Sequence, residues 1–223
     1  MPRLLSAIVI GLLVAACGAS QPTTAPVITA APTVAPTIAP APTAASTTAP
    51  TPASTGAFDG LPYSLSLPEG WTTFDLSDPA GAAALDDFVE ANPEMGAAIQ
   101  AFKALPNVVM AVNMLIGNVV VTLSLPTGGL PLDSIASSFT SQFQAVPGVK
   151  DPPEPEEVTL TAGPAIHWRL AIEANAPAGG TFEVGESIYL IANDTDAVLV
   201  EFVEVGGGVP QEQQIIQSLR FNP

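Results

Sequence analysis

Three sets of side chains in this chain are of types that carry chemistry: one thiol, one imidazole and two runs of carboxylates. The thiol is Cys17, the only cysteine among 223 residues, so no disulfide can form within the chain. It follows Val14-Ala15-Ala16, an aliphatic residue and two small ones. The imidazole is His167, in a stretch whose alternation puts Ile166, Trp168, Leu170 and Ile172 on one side and His167, Arg169 and Glu173 on the other. These three are the candidate ligand-binding residues, because an imidazole beside a carboxylate can act as a general base. A single histidine cannot build a zinc site. With no serine-centred elbow and no cysteine in the later part of the chain, no catalytic residue is assigned, and a cross-strand polar contact is the plainer expectation for His167.

The carboxylates gather at Asp75, Asp78, Asp86, Asp87, Glu90 and Glu94, and again at Asp194 and Asp196. Calcium needs six or more oxygens converging on one point, and neither group has the spacing of a loop built for that. Helix-start charge and turn chemistry account for them, and no metal or other cofactor is expected. Trp71 and Trp168 are expected in the core. Asn193-Asp194-Thr195 has the form of a glycosylation sequon, which in a bacterial protein is a chance-level signal.

The N-terminus carries an address. Arg3 supplies a short positive region, and Leu4 to Ala16 are free of charge, the length of a signal-peptide core and short for a bilayer span. Val14-Ala15-Ala16-Cys17 resembles the lipobox of bacterial lipoproteins. The resemblance implies a signal peptide over residues 1–16, cleavage after Ala16, and a thioether from Cys17 to diacylglycerol, with a further acyl chain such as palmitate on the freed amine. Two or three chains hold a protein to a membrane stably, each buried methylene contributing about 0.8 kcal/mol. The expected location is the extracytoplasmic face of a membrane, at the cell surface or in the periplasm. Gly18 follows the cysteine, in place of the aspartate that marks inner-membrane retention in two-membrane members of that class.

Residues 17–56 read as the lipidated cysteine plus a disordered linker. From Gly18 to Gly56 no residue is charged, and Ala, Thr and Pro dominate, a composition that cannot bury a core. Its prolines favour polyproline II, with a reach on the order of 120 Å at about 3.1 Å per residue. All 21 acidic residues lie beyond it, against four basic ones, Lys103, Lys150, Arg169 and Arg220, a net charge of −17. Such a surface repels phosphate backbones, so nucleic acid is excluded as a partner, and solubility is the plain reading of the charge.

Residues 57–223 have the length and the Val, Leu, Ile and Phe content of one domain. Tyr63 to Leu67 alternates as a strand and turns at Pro68-Glu69-Gly70 into Trp71. Ser77-Asp78-Pro79 starts a helix through Leu85, Phe88 and Val89, and Asn92-Pro93-Glu94 starts a second through Met95, Ile99 and Phe102. Val108 to Met114 and Asn118 to Leu125 should pair across a turn at Gly117, followed by a helix through Ile135, Phe139 and Phe143. Asp151 to Glu157 reads as a loop. Ala165 to Glu173, Phe182 to Ala192 and Ala197 to Val205 form a meander, and a helix from Pro210 to Ser218 closes the chain. The fold class is therefore α+β, a mainly antiparallel sheet flanked by helices.

Leu67-Pro68-Glu69-Gly70-Trp71, the central helices, the meander and the closing Ile215-Ile216-Gln217-Ser218-Leu219-Arg220-Phe221 resemble the PsbP-like and Mog-like α/β/α sandwich. That resemblance implies binding rather than catalysis. The leading expectation is a lipid-anchored envelope protein, not an enzyme, presenting a binding or assembly module to another envelope protein, with an exposed apolar patch or groove for it. The alternatives are a small-ligand carrier or enzyme with a closed polar site around His167, Arg169 and Glu173, and a passive surface coat protein.

Overall fold

A computed structural model describes residue 58 and residues 60–223, apart from 93–101, 104, 106, 114–116, 151–152, 176–180, 205–208 and 210. The signal and linker readings lie outside the described residues, as does most of the second expected helix, of which Phe102 and Lys103 are described and helical. In chain order the elements are β1 (Tyr63–Ser64), β2 (Thr72–Asp75), α1 (Pro79–Ala91), β3 (Val108–Asn113), β4 (Asn118–Pro126), α2 (Leu132–Phe143), β5 (Glu156–Leu160), β6 (Gly163–Asn175), β7 (Thr181–Ala192), β8 (Asp196–Glu204), α3 (Glu212–Gln217) and β9 (Arg220–Phe221). Seven strands form one sheet in the order β2-β3-β4-β8-β7-β6-β5, and β1 pairs with β9 in a small second sheet. All these pairings are antiparallel, which gives the α+β class expected from the sequence.

Local chemistry sets the element boundaries. Asp78 caps α1 by accepting the Ala80 N–H at 3.1 Å, and Pro79 takes a first-turn position where its missing N–H costs nothing. Gly81 sits inside this helix because α1 packs back on β2: a Cβ there would lie 2.1 Å from the Asp75 carbonyl oxygen. Gly117, at φ 69, turns β3 into β4. Between β7 and β8 the Asn193 side chain accepts the N–H groups of Thr195 and Asp196, at 2.9 and 2.7 Å, an Asx turn that explains the acidic residues there.

The sheet is buried on both faces. On one, Leu85 of α1 and Ala136, Phe139 and Phe143 of α2 pack with Phe74, Trp168, Ile188 and Leu199. On the other, Ile215 and Ile216 of α3 pack with Tyr63, Leu65, Leu67, Tyr189, Val200 and Phe202. Every residue of β8 from Ala197 to Val203 is consequently buried. Two expectations change in detail. Tyr63 to Leu67 keeps its alternating burial, but only Tyr63–Ser64 is strand, and it pairs with β9. The loop read over Asp151 to Glu157 gives way at Glu156, where the acidic edge strand β5 begins.

Candidate functional site

The polar groups of the sheet gather where β6 and β7 pass under α3. His167 stands opposite Tyr189 in the β6–β7 register, and their rings stack with centroids 4.3 Å apart. His167 Nε2 lies 2.8 Å from Ser187 Oγ. Ser187 donates its proton to Glu212 Oε1 at 2.7 Å, and the Tyr189 hydroxyl donates to the same oxygen at 2.6 Å. Gln213 in turn donates to the Tyr189 hydroxyl at 3.2 Å, and Glu156 of β5 approaches His167 Nδ1 at 3.7 Å.

Serine, histidine and acid in a row invite comparison with a nucleophilic triad, but the protons run the wrong way. Ser187 has one proton and gives it to Glu212, so the 2.8 Å contact is satisfied by His167 donating from Nε2. That tautomer carries its lone pair on Nδ1, away from the hydroxyl a base would have to deprotonate. Burial, and then the charge of Arg169, hold the His167 pKa below its ordinary value against the opposing pull of Glu212 and Glu156. The imidazole is therefore mainly neutral at neutral pH. Ser187 and His167 are also almost wholly buried. The cluster fastens α3 to the sheet, helped by the Trp71 indole N–H donating to Gln211 at 3.4 Å. Glu212→Ala should leave two hydroxyls without an acceptor and lower stability by roughly 2 kcal/mol, whereas Glu212→Gln keeps an oxygen there and should cost about half as much. Urea unfolding of the two variants measures this.

The three candidate ligand-binding residues do not converge. Arg169 is exposed, and Glu173 lies about 20 Å from His167 along β6, by six residues of strand rise. Glu173 instead pairs at the surface with Lys150 at 3.7 Å, which also reaches Glu183 at 2.7 Å. Three carboxylates of the first helical region are likewise in local use. Asp75 accepts the Ser77 N–H, Asp78 caps α1 and Asp86 pairs with Lys103. Among the described residues no three of His, Cys, Asp or Glu are arranged to hold a metal ion.

Two features escaped the sequence reading. One is a groove between α2 and the edge strand β5, made of two adjoining hollows of about 460 and 420 Å³ that share Asp133, Glu157 and Ile166. Ser137, Thr140, Ser141 and Gln144 line its helical wall. Among the described residues no lysine or arginine lines it, and β5 pairs on one side only. The expected exposed apolar patch is not found among the described residues: Leu130 alone is a large apolar side chain that is exposed. The other feature is a pair of buried glutamates, Glu186 and Glu201.

No protein-family model matches the chain, and no curated protein matches it. Solved structures with some likeness include a protein from Bacteroides thetaiotaomicron, 10% identical, with a TM-score of 0.45 over 73% of this chain and 46% of that one. This chain thus spans about half the length of the Bacteroides protein. LpqN, involved in cell envelope biogenesis of Mycobacterium tuberculosis, is 11% identical, with a TM-score of 0.42 over 74% of this chain and 88% of LpqN. Likeness at this level assigns no family and transfers no role. Among the described residues no helix is long and apolar enough to cross a membrane.

Proposed function

We propose that this chain is an exported lipoprotein, anchored through Cys17 on the extracytoplasmic side of a membrane, whose domain binds a basic, extended segment of an envelope protein along the α2–β5 groove. The anchor rests on Val14-Ala15-Ala16-Cys17 at the end of an uncharged stretch. The binding role rests on one observation above the others: a groove with Asp133 and Glu157 in its lining runs beside the unpaired edge of a sheet. An edge strand offers free backbone N–H and C=O groups to an added strand, and the carboxylates select a cationic one. The domain is read as a PsbP-like or Mog-like sandwich. Support for that comes from the Leu67-Pro68-Glu69-Gly70-Trp71 opening, a sheet covered on both faces and the closing helix with Leu219 buried beneath it.

The hydrogen bonds around His167 tie α3 to the sheet, and the groove is the surface to test. The experiment passes solubilised native envelope proteins over the full detergent-held chain and over a variant carrying Asp133→Lys and Glu157→Lys. The reading expects the wild type to retain one dominant basic partner in a salt-sensitive way, and the variant to retain at least about tenfold less. Equal retention by both removes the groove from the account, and no retention by either favours a passive coat protein.

A further inference from the structure

Glu186 on β7 and Glu201 on β8 are 3% and 2% exposed. Strand alternation puts Glu186 on the face of Ile188 and Leu190, and Glu201 on the face of Ala197 and Leu199, all four in the layer beneath α1 and α2. Glu186 stands opposite Val203 and Glu201 opposite Ile188, so the two carboxyl groups are diagonal neighbours within reach of one another. On the outer sides, Leu170 of β6 flanks Glu186 and Val121 of β4 flanks Glu201. Glu186 Oε1 is buried without a hydrogen-bond partner.

Among the described residues nothing titratable faces them from the elements packed on this layer. β6 contributes Trp168, Leu170 and Ile172, β3 Met110 and Val112, and β4 Val119 and Val121. The helices contribute Leu85, Phe88 and Val89 from α1, and Phe139 and Phe143 from α2. The charged groups of those helices lie elsewhere: Asp86, Asp87 and Glu90 of α1 and Asp133 of α2 are exposed, and Lys103 is engaged by Asp86. Two ionised carboxylates side by side in such a layer repel each other and are held away from bulk solvent.

We propose that Glu186 and Glu201 form a proton-operated lock, in which a proton shared between the two carboxyl groups keeps the helical layer seated on the sheet and its loss loosens α2. The physical chemistry agrees in direction. Burial pushes Glu186 up to about 7, and burial together with the Glu186 charge pushes Glu201 well above the ordinary carboxylate value. A carboxyl whose pKa is higher folded than unfolded stabilises most at low pH, and that contribution disappears as pH rises through the folded value. Between the two values each pH unit raises opening by about tenfold per proton held. His167 works with the opposite sign: its lowered value makes the fold lose stability as pH falls below the ordinary histidine range. His167 therefore opposes the glutamates at the acid end of this range and no longer contributes above the ordinary histidine range.

The seat of the lock is the seat of α2, whose Phe143 packs edge-on against Trp168 with centroids 5.4 Å apart. Since α2 also walls the groove, the lock would make partner binding fall as pH rises, and this last step alone rests on the groove reading. The test is hydrogen exchange of the α2 amides in the full chain from about pH 6 to about pH 9, corrected for intrinsic exchange, with Glu186→Gln and Glu201→Gln beside wild type. The lock predicts that wild-type α2 opens at least about tenfold more at the alkaline end and that each amide variant flattens this dependence. Wild-type protection that ignores pH, or a glutamine variant that keeps the full dependence, overturns it. Should the variants not fold, infrared spectra of the wild type decide: a protonated-carboxyl band present at about pH 6 and lost at about pH 9 supports the lock, and no such band refutes it. A lock that works in a chain that captures nothing leaves this inference standing and removes the groove. Groove capture with pH-independent α2 protection does the reverse.

Discussion

Changing Cys17 to serine is expected to move essentially all of the protein from the membrane fraction to the soluble fraction or the medium. A serine hydroxyl is not the soft nucleophile that accepts diacylglycerol, so the thioether cannot form, and the chain, once cut at its small residues by an ordinary secretory peptidase, has no lipid to hold it. Two acyl chains, at about 0.8 kcal/mol for each buried methylene, are what separates lasting attachment from transient contact. The acidic domain cannot substitute for them, because a net charge of −17 beyond the linker repels anionic headgroups. Cell fractionation with a high-salt wash, together with the intact mass of the N-terminal peptide, reads the outcome. Retention of the serine variant at the wild-type level would show that something other than the lipid holds the chain.

The largest single loss of stability is expected at Trp168. It is fully buried in the layer under α2, edge-on to Phe143, and its indole N–H donates to Thr140 at 3.0 Å. Trp168→Ala removes the packing of both rings and the anchor of α2 together, at a cost of about 3–5 kcal/mol. Against a total of about 5–15 kcal/mol for an ordinary domain, that moves the chain close to unfolding. Trp168→Phe keeps a ring against Phe143 and should cost about 1–2 kcal/mol, mostly the cavity and the lost hydrogen bond. Guanidinium unfolding of the three proteins gives the comparison, and a loss below about 1 kcal/mol for the alanine variant would mean that α2 is not seated through this residue.

The parts of the fold that could be read from the sequence were those with a local cause. Asp78-Pro79 announces α1 because capping and the proline N1 preference act within four residues. Gly117 between two β-branched runs announces the β3–β4 pair for a similar reason. What failed depended on the second face of the sheet. Glu201, in Val198-Leu199-Val200-Glu201-Phe202-Val203, is not singled out in the sequence reading, yet both sides of its strand are covered and the acid is buried. The unbroken apolar run on either side of Glu201 was the available signal, since a strand with one wet face would alternate. Arg169 and Glu173 share a side with His167 as expected, but the cover of α3 ends near His167, so one residue is buried and the other two lie in solvent. Asp151 to Glu157 reads as loop because Glu154, Glu156 and Glu157 among prolines resemble linker chemistry, although charge on an outer strand is also how sheets guard their edges, as β5 does from Glu156 onward.

We have proposed that the lipid-anchored domain receives a partner along the α2–β5 groove. The most direct measurement places a photo-crosslinking residue at Ser137 or Ser141, on the helical wall of that groove, in the full lipidated chain within native envelopes. Arg220, exposed at the far end of the chain, serves as the control position. The account predicts one dominant adduct from the groove positions, absent from the control and lost when Asp133 and Glu157 are both changed to lysine. An adduct that forms equally from the control position, or that survives the charge reversal undiminished, would contradict it.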